Sequence, residues 1–202
     1  RINAGDAIGT LNSLNHVHLI AGPSGNEVNA IMALELPGLV DTVSPIIESV
    51  RIVNGDGNVI EPQKNAQVLS VSGKVRVVLR AYDQADGNAG YRKLGLFRAG
   101  YQLLKADGTP MQGFKEPQFN IVFDRLPADP RTVSLVYAEG SQSGYTGKTI
   151  FDYVVTNIVR DGNAKEDSLD VSSLQPGDYI VRVFAEDYFR NRTTRDVKIS
   201  IH

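Results

Sequence analysis

A chain of 202 residues can form one large domain or two small ones. Its formal net charge of −2, from 21 basic and 23 acidic residues, offers no basic surface for nucleic acid or an acidic membrane. No apolar run approaches the ~18 residues that a transmembrane helix needs, so no membrane span is expected. The sequence has no cysteine, which excludes disulfides but fits the cytoplasm and many bacterial envelope proteins equally well.

Two of the three histidines, His16 and His18, lie close together near the start of the chain. Alternate side chains of a strand point to the same side, so a strand here would place both imidazoles in one cavity, about 7 Å apart. Val17 and Leu19 would then pack on the opposite face. Neutral imidazole is the commonest protein ligand of zinc, and a catalytic zinc usually has three protein ligands and a water. The pair therefore indicates a metal site but does not complete one.

Short motifs on both sides of this pair strengthen the metal hypothesis. Residues 4–9 read AGDAIG, residues 16–19 read HVHL, and residues 25–30 read GNEVNA. Together they resemble the C-terminal end of the lysostaphin/LasA-type zinc metallopeptidases, which cut peptidoglycan. That family has a v-x-x-G-d-x-I-G hairpin, then an H-x-H strand, then a turn with G-x-x-v-n-P. Ala30 stands where the family usually has proline, and the resemblance covers only residues 1–36.

The resemblance implies metal-assisted amide hydrolysis, in which zinc acidifies a water and polarises the carbonyl. His18 would be a zinc ligand, and His16 would assist the attacking water or stabilise the transition state. The family's other two ligands come from an upstream H-x-x-x-D motif, which this chain lacks, and His202 belongs to another segment. We therefore expect the C-terminal part of a secreted or envelope-associated bacterial peptidoglycan endopeptidase. It would use zinc in its parent protein and be inactive as this chain alone.

From Pro45 onward the dominant hydrophobic period is two, which is the period of a strand. The clearest alternation places Val75, Val77, Leu79 and Ala81 on one face. Strands are predicted at residues 46–53, 59–60, 68–71, 74–83, 119–123, 149–159, 180–187 and 197–201. One or two strands are predicted at 94–104, a strand or short helix at 132–138, and a return strand after the turn at 22–25.

The fold prediction depends most on residues 174–187, which read LQPGDYIVRVFAED. This segment resembles the late strands of fibronectin type III and bacterial immunoglobulin-like domains, where a buried tyrosine, here Tyr179, anchors a corner between strands. Short strands separated by turns predict an all-β protein with an immunoglobulin-like β-sandwich. We expect peptidase-like strands at residues 1–38, a linker at 39–44 and the sandwich at 45–202.

Three acidic turns raise the question of calcium. They are residues 54–58, the group of Asp83, Asp86 and Asn88, and the acidic and amide side chains of residues 161–170. Calcium takes six to eight oxygen ligands, and none of these turns matches the EF-hand loop. Asx-Gly clusters are also the usual residues of hairpin turns, because they tolerate positive φ. Both interpretations stay open.

Other candidate sites have simple structural alternatives. Arg190, Arg192 and Arg195 could contact an anionic glycan or form a solvated face. Tyr137, Tyr145 and Tyr153 could line a ligand surface or form cross-strand pairs. The sandwich would position the catalytic domain or contact peptidoglycan or a cell-envelope protein. The alternative hypothesis is a non-catalytic structural or adhesive module in which the peptidase resemblance is vestigial.

Overall fold

The computed structural model of the protein describes residues 1–3, 5–7, 9–10, 18–62, 67–144 and 148–202. Strands predominate over helices in these ranges, which confirms the predicted all-β class. No helix among the described residues is both long and apolar enough to cross a membrane.

The strands and helices are short and follow one another closely along the chain. The helices are α1 (Ala30–Ala33) and α2 (Val133–Val136), the latter preceded by a 3₁₀ turn at Pro130–Thr132. The strands are β1 (Ile46–Asn54), β2 (Leu69–Ser70), β3 (Lys74–Tyr82), β4 (Arg98–Lys105), β5 (Gln118–Val122), β6 (Asp152–Val154), β7 (Ile158–Arg160), β8 (Asn163–Lys165), β9 (Leu169–Asp170), β10 (Gly177–Glu186) and β11 (Arg192–Ile201).

These strands form two sheets, which we call the two-sheet body (residues 45–202). One sheet has the order β1-β3-β6, with β9 also pairing with β3. The other has the order β2-β11-β10-β4-β5-β7-β8. Most neighbouring strands are antiparallel, but β2 pairs with β11 in the parallel sense, as β5 does with β7. Strands of both sheets contribute to one hydrophobic core.

Alternation along the strands explains which side chains form that core. On β3, Val75, Val77, Leu79 and Ala81 are all buried, as their spacing predicts. On β10, Val181 and Val183 are fully buried, whereas Ile180 and Arg182 beside them are more exposed. Because successive side chains of a strand point to opposite faces, each sheet turns one apolar face towards the other.

The structure corrects three of the predicted elements. The strand predicted at 59–60 is only an isolated bridge between Val59 and Val53. Residues after the turn at 22–25 contribute only isolated bridges, from Val28 to Ala21 and to Arg125, and then form α1 in place of a longer return strand. The Asn29 side chain accepts a hydrogen bond from Ile31 N at the start of this helix, a typical N-cap. The single strand predicted at 149–159 is divided into β6 and β7, which belong to different sheets.

Candidate functional site

Three aspartates from distant parts of the sequence meet at one end of the two-sheet body. Asp41 precedes β1, Asp83 follows β3, and Asp187 follows β10. One carboxylate oxygen from each residue lies within 4.8 Å of those of the other two. Since β3 and β10 belong to different sheets, the group lies where the ends of the two sheets meet.

Asp83 is the member of this group whose carboxylate has a buried oxygen without a partner among the described residues. Its side chain is buried, with 5% of the residue exposed, and its Oδ1 has no hydrogen-bond partner among the described residues. Its backbone N–H and carbonyl are both paired with Leu94, at 2.9 and 2.8 Å. Burial raises the pKa of Asp83 to about 7; a hydrogen bond from the Gln84 backbone opposes this shift, and the charges of Asp187 and Asp41 add to it.

Asn191 holds the other two aspartates together. Its backbone N donates to Asp187 Oδ1 at 2.8 Å, and its side-chain Nδ2 donates to Asp187 Oδ2 at 2.7 Å. The same Nδ2 donates to the backbone oxygen of Asp41 at 2.9 Å. An ionised carboxylate has about four acceptor sites, so Asp187 keeps capacity for a further partner.

The segment that carries Asp41 is fixed by a second acidic residue, Asp86. Thr42 N donates to Asp86 Oδ2 at 2.9 Å, and the Thr42 hydroxyl lies 3.1 Å from the same oxygen. Val43 N donates to Asp41 Oδ1 at 2.9 Å, which orients the Asp41 carboxylate. The backbone around Asp41 is therefore held in position by protein contacts on both sides.

The chemistry available to this group is that of hard oxygen ligands. It offers three carboxylates and no imidazole or thiolate, a donor set that suits calcium, magnesium or manganese better than zinc. The charges that shift the pKa of Asp83 are the two negative ones of its aspartate neighbours. The group thus concentrates negative charge in a place that is largely withdrawn from water.

The predicted histidine site is not part of this aspartate group. His16 lies outside the described residues, and His18 is exposed. Leu19, which was expected to pack, is 49% exposed, so that expectation is wrong. Within the described ranges, the three aspartates are the group that could hold a metal, and it contains no histidine. The described residues do not supply a zinc ligand set, and the assignments of His16 and His18 stay predictions.

The three acidic turns considered as calcium sites have different structural roles. Asn54 Oδ1 accepts from Asp56 N at 3.1 Å and from Asn58 N at 2.9 Å, so this turn is closed by its own side chain. The grouping of Asp83 with Asp86 is wrong, because Asp86 binds Thr42 while Asp83 joins Asp41 and Asp187. In the third turn, Asp170 Oδ1 accepts from Ser172 N at 3.0 Å, which is again a local turn contact.

The arginine group mostly has partners within the protein. Arg190 and Arg192 both contact the buried Glu186 carboxylate, and Arg195 donates to the backbone oxygen of Glu48 at 2.9 Å. These contacts favour a structural role over a glycan site.

The tyrosine group also packs internally. Tyr153 is fully buried, and its ring lies 5.3 Å from that of Tyr137, to which it is bridged across strands. Its hydroxyl accepts a hydrogen bond from Leu96 N at 3.0 Å. Tyr145 lies outside the described residues. For Tyr137 and Tyr153, the cross-strand interpretation is the one that the geometry favours.

Sequence reasoning missed Asp41 and Asp187 as members of a site. A signal for part of it is present, since β3 and β10 both end in Ala-x-Asp, at residues 81–83 and 185–187. Two core strands that end in the same pattern can place their aspartates at the same end of a sandwich.

Comparison with known proteins adds no relative to this picture. No protein-family model, no curated protein and no solved structure matches the chain.

Proposed function

We propose that this chain is a non-catalytic, immunoglobulin-like accessory module that holds a peptidase-like N-terminal segment in a fixed position. The observation that carries the proposal is the docking of residues 27–43 on the two-sheet body. The peptidase connection comes from the motifs at residues 4–9, 16–19 and 25–30, which resemble the lysostaphin-type zinc endopeptidases.

The first docking contact is a short stretch of backbone pairing. Leu126 N donates to Glu27 O at 2.9 Å, and Asn29 N donates to Asp124 O at 2.7 Å. The Asn29 side chain adds a hydrogen bond from Nδ2 to Phe123 O at 2.8 Å. Backbone pairing of this kind fixes the register of the segment against the loop after β5.

The second docking contact lies at the aspartate end of the body. The Tyr188 hydroxyl donates to Ile31 O at 3.2 Å, and Asn191 donates to Asp41 O at 2.9 Å. Tyr188 also packs edge-on against Phe97, with ring centroids 5.3 Å apart. The segment is therefore attached at two separated points, which restricts rotation as well as translation.

Two features support the immunoglobulin-like assignment. One sheet has the strand order β2-β11-β10-β4-β5, and its first pair is parallel. This fits the immunoglobulin sheet in which an early strand pairs with the last strand. Strands β1, β3 and β9 fit the opposite sheet. The Tyr179 hydroxyl donates to Gln175 O at 2.8 Å, four residues upstream, as in a tyrosine corner.

Exposed apolar side chains support a partner surface for the N-terminal segment. Six large apolar residues between 20 and 40 are between 38% and 80% exposed, in contrast to those of the core: Ile20, Met32, Leu34, Leu36, Leu39 and Val40. An apolar stretch of this kind is typical of a segment that packs against another surface. In the proposed function that surface is the remainder of a zinc peptidase acting on peptidoglycan, in the bacterial envelope or outside the cell.

Replacement of Asn29 by alanine tests the docking. The variant loses the bond to Phe123 O and the helix cap, each worth on the order of 1 kcal/mol. We expect backbone amide exchange in residues 26–34 to become at least about fivefold faster, with little change in the core strands. Asn26→Ala is the control, because the Asn26 side chain is exposed and has no bond to the described part of the body. Equal exchange in the two variants would contradict the docking.

Zinc content tests the peptidase part of the proposal. After dialysis against a weak chelator, we expect the 202-residue chain to retain far less than one zinc and to release no peptides from cross-linked peptidoglycan, because two of three ligands are missing. If the chain instead retains one zinc per molecule and His18→Ala loses it, the chain contains a complete zinc site. That result would contradict the proposal that the site is incomplete. An H-x-x-x-D motif encoded upstream of Arg1 favours the peptidase, and its absence there favours the structural or adhesive alternative.

A further inference from the structure

We propose that Asp41, Asp83 and Asp187 bind one calcium ion, which fastens the segment at residues 41–43 to the ends of β3 and β10. None of the three residues lies in the peptidase-like region 1–38, so this site stands whether or not the peptidase proposal is correct.

The first argument is the spacing of the ligand atoms. One oxygen from each carboxylate lies within 4.8 Å of the others. Two ligands on opposite sides of a calcium ion are about 4.8 Å apart, because each calcium–oxygen bond is about 2.4 Å long. Even at this upper limit an ion equidistant from the three oxygens lies only about 2.8 Å from each, so side-chain shifts of a few tenths of an ångström bring all three to the 2.3 to 2.6 Å of a calcium–oxygen bond without any rearrangement of the strands.

The second argument is the buried oxygen that lacks a partner. Asp83 Oδ1 is withdrawn from water and accepts no hydrogen bond from the described residues, although the backbone of the same residue is fully paired. Buried charges in proteins are normally paired or coordinate a metal. The charges that act on Asp83 are those of Asp187 and Asp41, which repel its carboxylate. A cation supplies the partner that Asp83 Oδ1 lacks and offsets the repulsion among the three carboxylates.

The third argument is that the protein already positions the ligands. Asn191 contacts both Asp187 and the backbone of Asp41, and Asp86 holds Thr42. The hydrogen bonds to Asp187 leave acceptor sites on both of its oxygens. A site whose ligands are held by such neighbouring contacts needs little ordering when the ion binds.

The donor set decides between metals. Zinc prefers nitrogen and sulfur ligands, which this group lacks. Magnesium requires nearly ideal octahedral geometry with bonds of about 2.0 to 2.1 Å and gives up its waters reluctantly, whereas calcium accepts irregular sets of oxygens. Asp41 is only half-buried, so water can reach the ion from that side and complete its six to eight ligands.

Calcium titration of the chelator-treated chain tests the site. By isothermal calorimetry we expect one ion per chain, with a dissociation constant of about 10⁻⁴ to 10⁻³ M, as in extracellular calcium modules. About 10 mM calcium should then raise Tm by about 3 to 10 °C, and the same concentration of magnesium should raise it less. Amide exchange of residues 39–44 should also slow when calcium is added.

Matched aspartate variants assign the effect to this site. Asp83→Asn and Asp187→Asn should each lose the calcium-dependent rise in Tm. Asp83→Asn relieves repulsion between buried carboxylates, so it is expected to fold without metal. Asp107→Asn, at an exposed turn aspartate, should respond to calcium like the unaltered chain. The proposal is overturned if the chain shows neither binding heat nor a rise in Tm, if Asp83→Asn responds normally, or if magnesium acts as strongly as calcium.

Discussion

Gly100→Ala is expected to lower the free energy of unfolding by about 3 kcal/mol, because its new methyl group would overlap the backbone of the adjacent strand. A Cβ at Gly100 would lie 2.7 Å from Phe119 Cα and closer still to the carbonyl oxygen of Gln118. Both atoms belong to the β5 backbone, so no side-chain rotation relieves the overlap. The pairing of β4 with β5 is already irregular here, with a register shift between Ala99 and Tyr101.

Urea unfolding measures this loss in the free energy of unfolding, and thermal unfolding measures the accompanying fall in Tm. For a chain of this size, a loss of about 3 kcal/mol corresponds to a fall in Tm of about 6 to 12 °C. Gly90→Ala is the matched control, since nothing lies within 4 Å of a Cβ at that position. We expect Gly90→Ala to stay within about 0.5 kcal/mol of the unaltered protein. Equal unfolding midpoints for the two variants would show that β4 and β5 do not approach each other this closely.

Glu186→Gln is expected to lower the free energy of unfolding by about 3 to 5 kcal/mol, because it leaves buried positive charge without its counterion. The Glu186 side chain is fully buried, and its two oxygens accept from Arg98 Nε and Arg192 Nε, each at 2.6 Å. Arg98 is itself mostly buried and packs over the Phe119 ring at 4.0 Å. Burial lowers the pKa of Arg98, and Glu186 opposes that shift. The positive charge of Arg98 is therefore compensated only while the Glu186 carboxylate is charged.

An exposed ion pair between β10, the strand of Glu186, and β11 provides the control for Glu186. Asp196 accepts from Arg182 Nε at 2.7 Å, but both side chains are more than a third exposed. Exposed pairs of this kind contribute about 0 to 1 kcal/mol, since water and salt screen them. Asp196→Asn should therefore shift the urea midpoint only slightly. If Glu186→Gln loses no more stability than Asp196→Asn, the buried cluster does not stabilise the fold as argued.

The sequence by itself determined the secondary structure of the main strands and their buried faces. Strict alternation at residues 75–81 identified β3 and its core side, because the side-chain period of a strand is two and one face must be apolar. The same reasoning identified β10, where Tyr179 donates its hydroxyl hydrogen bond to the backbone of Gln175. These features are local, so a short stretch of sequence contains all the information they need.

Only the tertiary structure decided how the aspartates are grouped. From the sequence, Asp83 was grouped with Asp86, its neighbour along the chain, whereas the fold brings it to Asp41 and Asp187. Which strand ends meet depends on the order of strands in two sheets, and no local pattern specifies that order. The pairing of Glu186 with arginines from β4 and β11 could not be predicted from the sequence for the same reason. The periodicity of a strand is encoded locally, but the neighbours of a charged group are set by contacts between distant segments.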